Sequence, residues 1–134
     1  MAIAEIKRAA ERRLNSTSGG ITTAFEGVPF SPPTGLYQRC AFLIRPATDP
    51  TYGTGYHREN VQMQVWIIAP LGKGTGDAIA RAEVIRERFK KGTYMEESGV
   101  FIHVLGTPQI TGASVTNDRI VCGVLVDFTA EVSS

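Results

Sequence analysis

HRENVQMQVWIIA, residues 57–69, carries the strongest strand pattern in the chain. Its odd positions from Val61 to Ala69 are all apolar, whereas its even positions begin polar and become apolar from Trp66 onward. A side-chain period of two is that of a β-strand. We therefore expect one face of this strand to pack against a core, and the opposite face to be partly covered by something else.

Strand patterns also occur on both sides of this stretch. The expected strands are Ile21–Phe25, Tyr37–Arg45, Gly99–Leu105 and Arg119–Val132. Between the first two lies Val28–Gly35, whose three prolines lack backbone donors and predict an irregular or edge segment. Tyr37–Arg45 and the strand at residues 57–69 are separated by Pro46–Tyr56, a long connection rich in Thr, Gly and Pro.

Two segments have the apolar spacing of amphipathic helices, in which one stripe faces a core. The first spans about Ala2–Asn15 and the second about Asp77–Lys91. Their stripes are Ile3, Ile6, Ala10 and Leu14 in the first, and Ala78, Ala82, Ile85 and Phe89 in the second. The element order predicts an α+β fold: a mostly antiparallel sheet of four to five strands with two amphipathic helices packed on one face, in a single domain covering residues 1–134.

The composition is that of an ordinary globular protein, with 43% hydrophobic and 20% charged residues and a net charge of +1. So small a charge favours neither nucleic acid nor an anionic membrane as a partner. No apolar run approaches the roughly 20 residues that span a bilayer, and the N-terminus lacks a signal-peptide core, which predicts folding in the cytoplasm. In that reducing compartment, Cys40 and Cys122 are expected to be buried free thiols.

A glycine-rich turn, Gly72–Gly76, connects the central strand to the second helix. Backbone amides at a helix N-terminus attract anions, and Lys73 would strengthen that attraction. A P-loop requires Gly-Lys-Ser/Thr with an earlier glycine, but here Lys73 is followed by Gly74 and the earlier position is Ile67. Asp77 replaces the third glycine of a dinucleotide fingerprint and would repel a phosphate. A flexible connection is the better interpretation; a small ligand- or nucleotide-binding domain using this turn is the alternative.

The remaining candidates for chemistry lack partners in the sequence. His57 and His103 are the only histidines, and the local sequence does not offer the combination of an oriented nucleophile and an orienting acid that catalysis by either would require. Glu96 and Glu97 are adjacent, so in a strand they would point to opposite sides and could not act as an acid/base pair. The sequence predicts no catalytic residue, no metal site, no cofactor and no enzymatic activity.

Two features are easier to explain with a protein partner than without one. The first is the apolar back face of the sheet, formed by Trp66, Ile68, Phe101, Leu105, Val121 and Leu125. A second subunit or the proline-rich segment would cover such a face. The second feature is the Pro46–Tyr56 loop, in which Tyr52 and Tyr56 are flanked by glycines, as in flexible interface elements with aromatic anchors. The alternative for the loop is a mobile connection with two incidental tyrosines.

Three stretches together resemble a known family. They are IKRAAERRL (residues 6–14) before a proline-bearing segment, APLGKG (69–74) before a helix, and VCGVLVDF (121–128) as the final strand. In this layout the chain resembles, over nearly its whole length, the small tail-terminator and tail-completion proteins of long-tailed phages and prophages, including a group long known only as a phage-related domain of unknown function.

The resemblance implies a structural role in virion assembly. Proteins of this family form a ring, commonly a hexamer, that caps the tail tube, stops its polymerisation and presents a surface for head joining. It implies that this chain associates with itself, with the tail tube protein and with a head-completion or connector protein, with no nucleic-acid specificity and no membrane. Its location would be the bacterial cytoplasm during assembly and then the virion tail. The candidate contact residues are Tyr52, Tyr56 and Arg58, with Arg86 and Arg88 on the second helix.

Overall fold

The structure is a computed structural model, and it describes residues 3–17, 22–31, 35–49, 56–72, 74–116 and 118–133. Two helices and seven strands lie in these ranges. In chain order they are α1 (Ile3–Asn15), β1 (Thr22–Ala24), β2 (Tyr37–Thr48), β3 (Tyr56–Pro70), α2 (Gly76–Arg88), β4 (Tyr94–Glu97), β5 (Val100–Val104), β6 (Gln109–Thr116) and β7 (Arg119–Ser133). Neither helix has the length and apolar composition that crossing a membrane requires.

The described strands form one seven-stranded sheet in the order β1-β2-β3-β7-β5-β4, and β6 also pairs with β7. The prediction of a mostly antiparallel sheet of four to five strands is wrong, although the α+β class holds. Strands β4 and β6 lie in segments with no predicted strand, and β1 pairs with β2 in parallel, which makes the sheet mixed.

The centre of the sheet is the antiparallel pair β3 and β7, whose 15 residues lie opposite one another along the whole length of both strands. The other side of β7 is shared between two shorter strands. Its first half pairs with β6 and its second half with β5, so both sides of β7 are paired along most of its length. The sequence stretch with the strongest strand pattern is thus one of the two central strands.

One hydrophobic core joins the helices to the sheet. The predicted apolar stripes of both helices are confirmed, because Ile6, Ala10 and Leu14 of α1 and all four stripe residues of α2 are buried. They pack on the predicted core face of β3 and on the residues of β7 that lie opposite it. Those sheet residues are Val61, Met63, Val65 and Ile67, with Cys122, Val124, Val126 and Phe128.

A buried polar network attaches the edge strand β1 to the rest of the fold. The amide of Gln38, which is fully buried in β2, donates to Thr23 Oγ1 at 2.9 Å and accepts from Arg81 Nε at 3.2 Å. Buried polar groups need such partners, because a lost hydrogen bond there costs on the order of 1–3 kcal/mol. Burial also lowers the pKa of Arg81 from its usual value. This network links β1, β2 and α2.

The back face of the sheet is covered at one end. Tyr37 is buried there, and its ring lies 5.5 Å from the ring of Phe30, which belongs to the proline-rich segment. Trp66 and Val121 are half-buried farther along. Of the two covers considered from the sequence, a second subunit or the proline-rich segment, the segment contacts this end of the face through Phe30. The opposite end, towards the start of β3, has no such cover among the described residues.

Candidate interaction surfaces

An aromatic cluster lies exposed on the back face, where β4 and β5 form the edge of the sheet. Tyr94 and Phe101 stack with ring centroids 5.8 Å apart and an interplanar angle of 21°, and Tyr94 also lies 5.2 Å from the ring of His103. About half of each side chain is exposed, 51% for Tyr94 and 47% for Phe101. Leu105, at the end of β5, adds a further exposed apolar side chain. Clusters of this kind are typical of protein interfaces.

A second exposed apolar pair lies on β2, at the opposite edge of the sheet. Leu43 is 46% exposed and Ile44 is 61% exposed, although Ile44 lies opposite the buried Val61 of β3. Burial decreases along the strand from Cys40 through Phe42 to Ile44. Lys7 of α1 lies over the ring of Phe42, and among the described residues no helix side chain forms a hydrogen bond, ion pair or ring contact with the strand beyond it. Ile44 therefore belongs to a part of the core-facing register that the helices leave open, whereas Leu43, opposite Gln62, is exposed on the back face.

Arg58 is partly engaged within its own subunit. Its Nη2 lies 3.3 Å from Glu131 Oε1, directly across the β3–β7 pair, and both side chains are about half exposed. An exposed cross-strand ion pair of this kind contributes little stability. It does leave the Arg58 guanidinium at the surface of the sheet, on the face opposite the helices.

Arg88 holds the two helices together. Its Nη2 donates to Ser16 Oγ at 3.0 Å, and its carbonyl oxygen accepts from Arg13 Nε at 2.9 Å. Arg13 lies with its guanidinium 5.8 Å from the Phe89 ring centroid, and burial, then the nearby Arg88 charge, lowers the pKa of Arg13. These residues line a cleft of about 740 Å³ between the end of α1 and the outer side of α2. Arg86 is exposed on α2.

The five predicted contact residues are not brought together. Arg58 lies on the back face of the sheet, whereas Arg86 and Arg88 lie on the helical side. Tyr52 lies outside the described residues, and for Tyr56 the structure describes only the backbone at the start of β3. Strand β2 continues to Thr48, so the predicted Pro46–Tyr56 loop is shorter than expected.

The described residues of the glycine-rich turn show no arrangement that would bind a phosphate. Gly72 and Gly74 have φ angles of 103° and 74°, which favour glycine, and Lys73 lies outside the described residues. The N-cap Thr75 makes no side-chain capping hydrogen bond, and Asp77 is the acidic residue in the first turn of α2. A carboxylate at this position interacts favourably with the helix dipole and repels a bound anion.

The two histidines and the adjacent acids Glu96 and Glu97, considered from the sequence as candidates for chemistry, do not form one site. His57 Nε2 lies 2.8 Å from Glu59 Oε1, and His103 is exposed beside Tyr94, as its strand position predicts. Glu97 points towards α1, where Arg12 lies 2.7 Å away, whereas Glu96 is exposed on the other side, as expected for adjacent strand residues. Within the described ranges, no three His, Cys, Asp or Glu side chains form a group that could hold a metal ion.

Both cysteines are buried free thiols, as predicted. Cys40 is 1% exposed, and burial raises the pKa of its thiol to about 12, with the nearby Glu11 and Glu26 charges acting in the same direction. Burial also raises the pKa of Cys122. Only the thiolate is a good nucleophile, so both groups are protected by burial and by protonation.

We predict that neither thiol of the folded protein reacts with a disulfide reagent at pH 8 within the time in which a free cysteine reacts completely. Absorbance of the released thiolate, followed in buffer and then in denaturant, measures this. Two equivalents should react after unfolding. Fast reaction of one equivalent in buffer would show that one cysteine is accessible.

The sequence did not identify Leu43, Ile44 and Tyr94 as candidate contact residues. Leu43 and Ile44 lie in a well-predicted strand, but its alternation shows neither where the helices stop covering Ile44 nor which part of the back face, where Leu43 lies, stays exposed. Tyr94 precedes two acidic residues in a four-residue strand too short to give a pattern. The only signal in the sequence was that each of these three side chains is large and mainly apolar.

The chain matches known proteins in family and in fold. A model of the phage tail terminator protein family matches residues 5–128. A solved structure of a protein whose name states no function has 19% sequence identity and a TM-score of 0.76, covering 97% of this chain and 96% of that one. A chain from the virion of a native gene transfer agent particle has 18% identity and a TM-score of 0.67, covering 98% and 96%. Among curated protein sequences, none matches.

Proposed function

The chain belongs to the phage tail terminator protein family, which gives it a structural role in a phage tail, and we propose that it forms a ring that caps the tail tube. The family match over residues 5–128 is the observation that carries the proposal. Capping ends polymerisation of the tube, and the outer side of the ring provides the surface for head joining. The likeness in fold to a chain from a gene transfer agent virion supports a place in a tailed particle.

A ring of identical subunits requires two different contact surfaces on each subunit, because every copy meets its two neighbours through opposite sides. The exposed apolar residues on the two sides of the sheet meet that requirement. A closed ring, which we propose to be a hexamer, forms in the bacterial cytoplasm from free subunits and then remains in the virion tail. This role requires no cofactor and no catalytic residue.

We assign the partner contacts to the residues that the sequence singled out. Tyr52 and Tyr56 at the loop between β2 and β3, together with Arg58 at the start of β3, face the tail tube protein. Arg86 and Arg88 on α2 face the head-completion or connector protein, with Arg86 as the exposed member of that pair. Arg58 lies on the back face of the sheet and the two α2 arginines lie on the helical side, which supports two different partners.

We predict that this protein, added in small amounts to polymerising tail tube subunits, shortens the tubes and leaves a ring at one end. Negative-stain microscopy measures tube length and end structure. The double variant Tyr52→Ala/Tyr56→Ala should still form rings but cap poorly, since only the tube contact is removed. Tubes that grow to the same length with and without the wild-type protein would contradict the proposed function.

A further inference from the structure

Two edges of the sheet carry no neighbouring strand in the described residues. Strand β1 pairs only with Tyr37–Arg39, so the later part of β2 has no strand on its outer side. Glu26 Oε2 accepts from the Phe42 backbone amide at 3.3 Å, and beyond this point Leu43–Thr48 is open. At the other end of the sheet, β4 pairs only with β5. Unpaired strand edges bind other strands readily.

Exposed apolar side chains concentrate at these two edges. Nine large hydrophobic side chains of the described residues are exposed, and five of them lie here. We call Leu43, Ile44 and Arg45 the β2 edge, and Tyr94, Glu96 and Phe101 the β4 edge, next to which Leu105 also lies exposed. Exposure of this kind at an unpaired edge favours association with another chain and is explained by a contact that covers it.

The two edges carry opposite unpaired charges. Arg45 and Glu96 are both exposed, and neither has an ion pair or a hydrogen bond among the described residues. Glu97 differs from Glu96, because on the helical side Arg12 lies 2.7 Å away and Arg8 lies 3.6 Å away. The hydrogen bond from Arg12 is the main reason why the pKa of Glu97 is lowered. Glu96 is therefore the acid of the β4 edge that is left for a partner.

The register places both edges at the same level of the sheet. One row of cross-strand neighbours runs from the β2 edge to the β4 edge through Arg45, Asn60, Thr129, His103 and Tyr94. A contact between two edges at the same level adds little displacement along the ring axis from one copy to the next. Such a contact favours closure into a ring over growth into a helical filament.

We propose that the ring closes when the β2 edge of one copy packs against the β4 edge of the next. Leu43 covers the stacked rings of Tyr94 and Phe101 on the back face, Ile44 is covered on the helical side of the same contact, and Arg45 pairs with Glu96. The occupant of each edge is thus a second copy of this chain, chosen by apolar contact and by opposite charge. This inference rests on the proposed function, and it specifies which surfaces form the ring.

Charge reversal with rescue tests the pairing. Arg45→Glu and Glu96→Arg each place like charges together, and each should weaken self-association about tenfold or more, whereas the double variant restores opposite charges and most of the association. Sedimentation velocity over a concentration series, with and without short tail tubes, measures assembly. Glu83→Arg, a reversal at an exposed site on α2, is the matched control and should leave it unchanged. Circular dichroism verifies that every variant is folded.

The outcomes separate the two proposals. If both single variants form rings as readily as the wild type, the edge contact is overturned and the ring proposal stands. Single variants that dissociate without recovery in the double variant would overturn the Arg45–Glu96 pairing. A wild-type protein that forms no ring, even on tail tubes, would overturn the proposed function together with this inference.

Discussion

Replacing Phe89 with alanine should lower the free energy of unfolding by about 3–5 kcal/mol. Phe89 follows α2 directly, is fully buried, and meets the ring of Phe128 edge-on with centroids 5.8 Å apart. Phe89 connects the helix to the sheet, because its ring contacts Phe128 of β7 and its backbone N–H donates to the carbonyl oxygen of Ile85 in α2 at 3.0 Å. Removal of the ring leaves a cavity that the close-packed core fills only in part.

The loss is large compared with the total stability of about 5–15 kcal/mol that is usual for a domain. The midpoint of thermal unfolding should fall by roughly 10–20 °C. Urea denaturation followed by circular dichroism measures the free energy at a protein concentration low enough to keep the chain monomeric, because assembly raises apparent stability. A change in the free energy of unfolding below about 1 kcal/mol would show that Phe89 is not a core residue.

Phe101→Ala provides the matched control. This ring is also aromatic and also paired, but it is 47% exposed on the back face. Its removal should cost less than about 1 kcal/mol in the monomer, since it takes away one partly exposed ring pair. If the β4 edge closes the ring of subunits, Phe101→Ala should also assemble poorly. Phe89→Ala would then mainly lose stability, whereas Phe101→Ala would mainly lose assembly.

The long elements were predictable from sequence because their patterns extend over many residues. Both helices and the central strands β3 and β7 have stripes or alternation that persist for ten positions or more. Strand β6 was missed because its alternation is interrupted. A bulge at Thr111 and Gly112 places Ile110 and Ala113 on the same face, opposite Val124 and Cys122, and Gly112 has a φ of 85°.

Other features depend on tertiary context that local patterns do not contain. Strand β4 has four residues and exists because a turn with φ angles of 51° at Ser98 and 82° at Gly99 returns the chain onto it as β5. The parallel pairing of β1 with β2 joins strands separated by a proline-bearing segment, and the hydrogen bond from Gln38 to Thr23 connects them. The candidate contact surfaces were hidden for the same reason, since exposure of Ile44 depends on where the helices end, and exposure of Leu43 and Tyr94 depends on what covers the back face.

Replacing Gly123 with alanine should lower the free energy of unfolding by about 1–3 kcal/mol, although alanine is otherwise a better strand residue than glycine. Gly123 lies directly opposite Trp66 in the β3–β7 pair. A Cβ at position 123 would lie 2.7 Å from Trp66 Cε3 and 2.9 Å from Thr111 Oγ1. Thr111 has little freedom to move away, because its hydroxyl accepts from the Gly123 amide at 3.0 Å.

A double-mutant cycle with Trp66→Ala tests the cause of this loss. If the indole ring is what the new Cβ meets, Gly123→Ala should be close to neutral in the Trp66→Ala background, and the two changes should be strongly non-additive. Gly106→Ala is the control, since a Cβ there meets nothing within 4 Å. Trp66 is the only tryptophan, so its fluorescence reports the displaced ring in Gly123→Ala directly. An unchanged emission spectrum with unchanged stability would show that Gly123 is not required for the Trp66 indole ring to pack over β7.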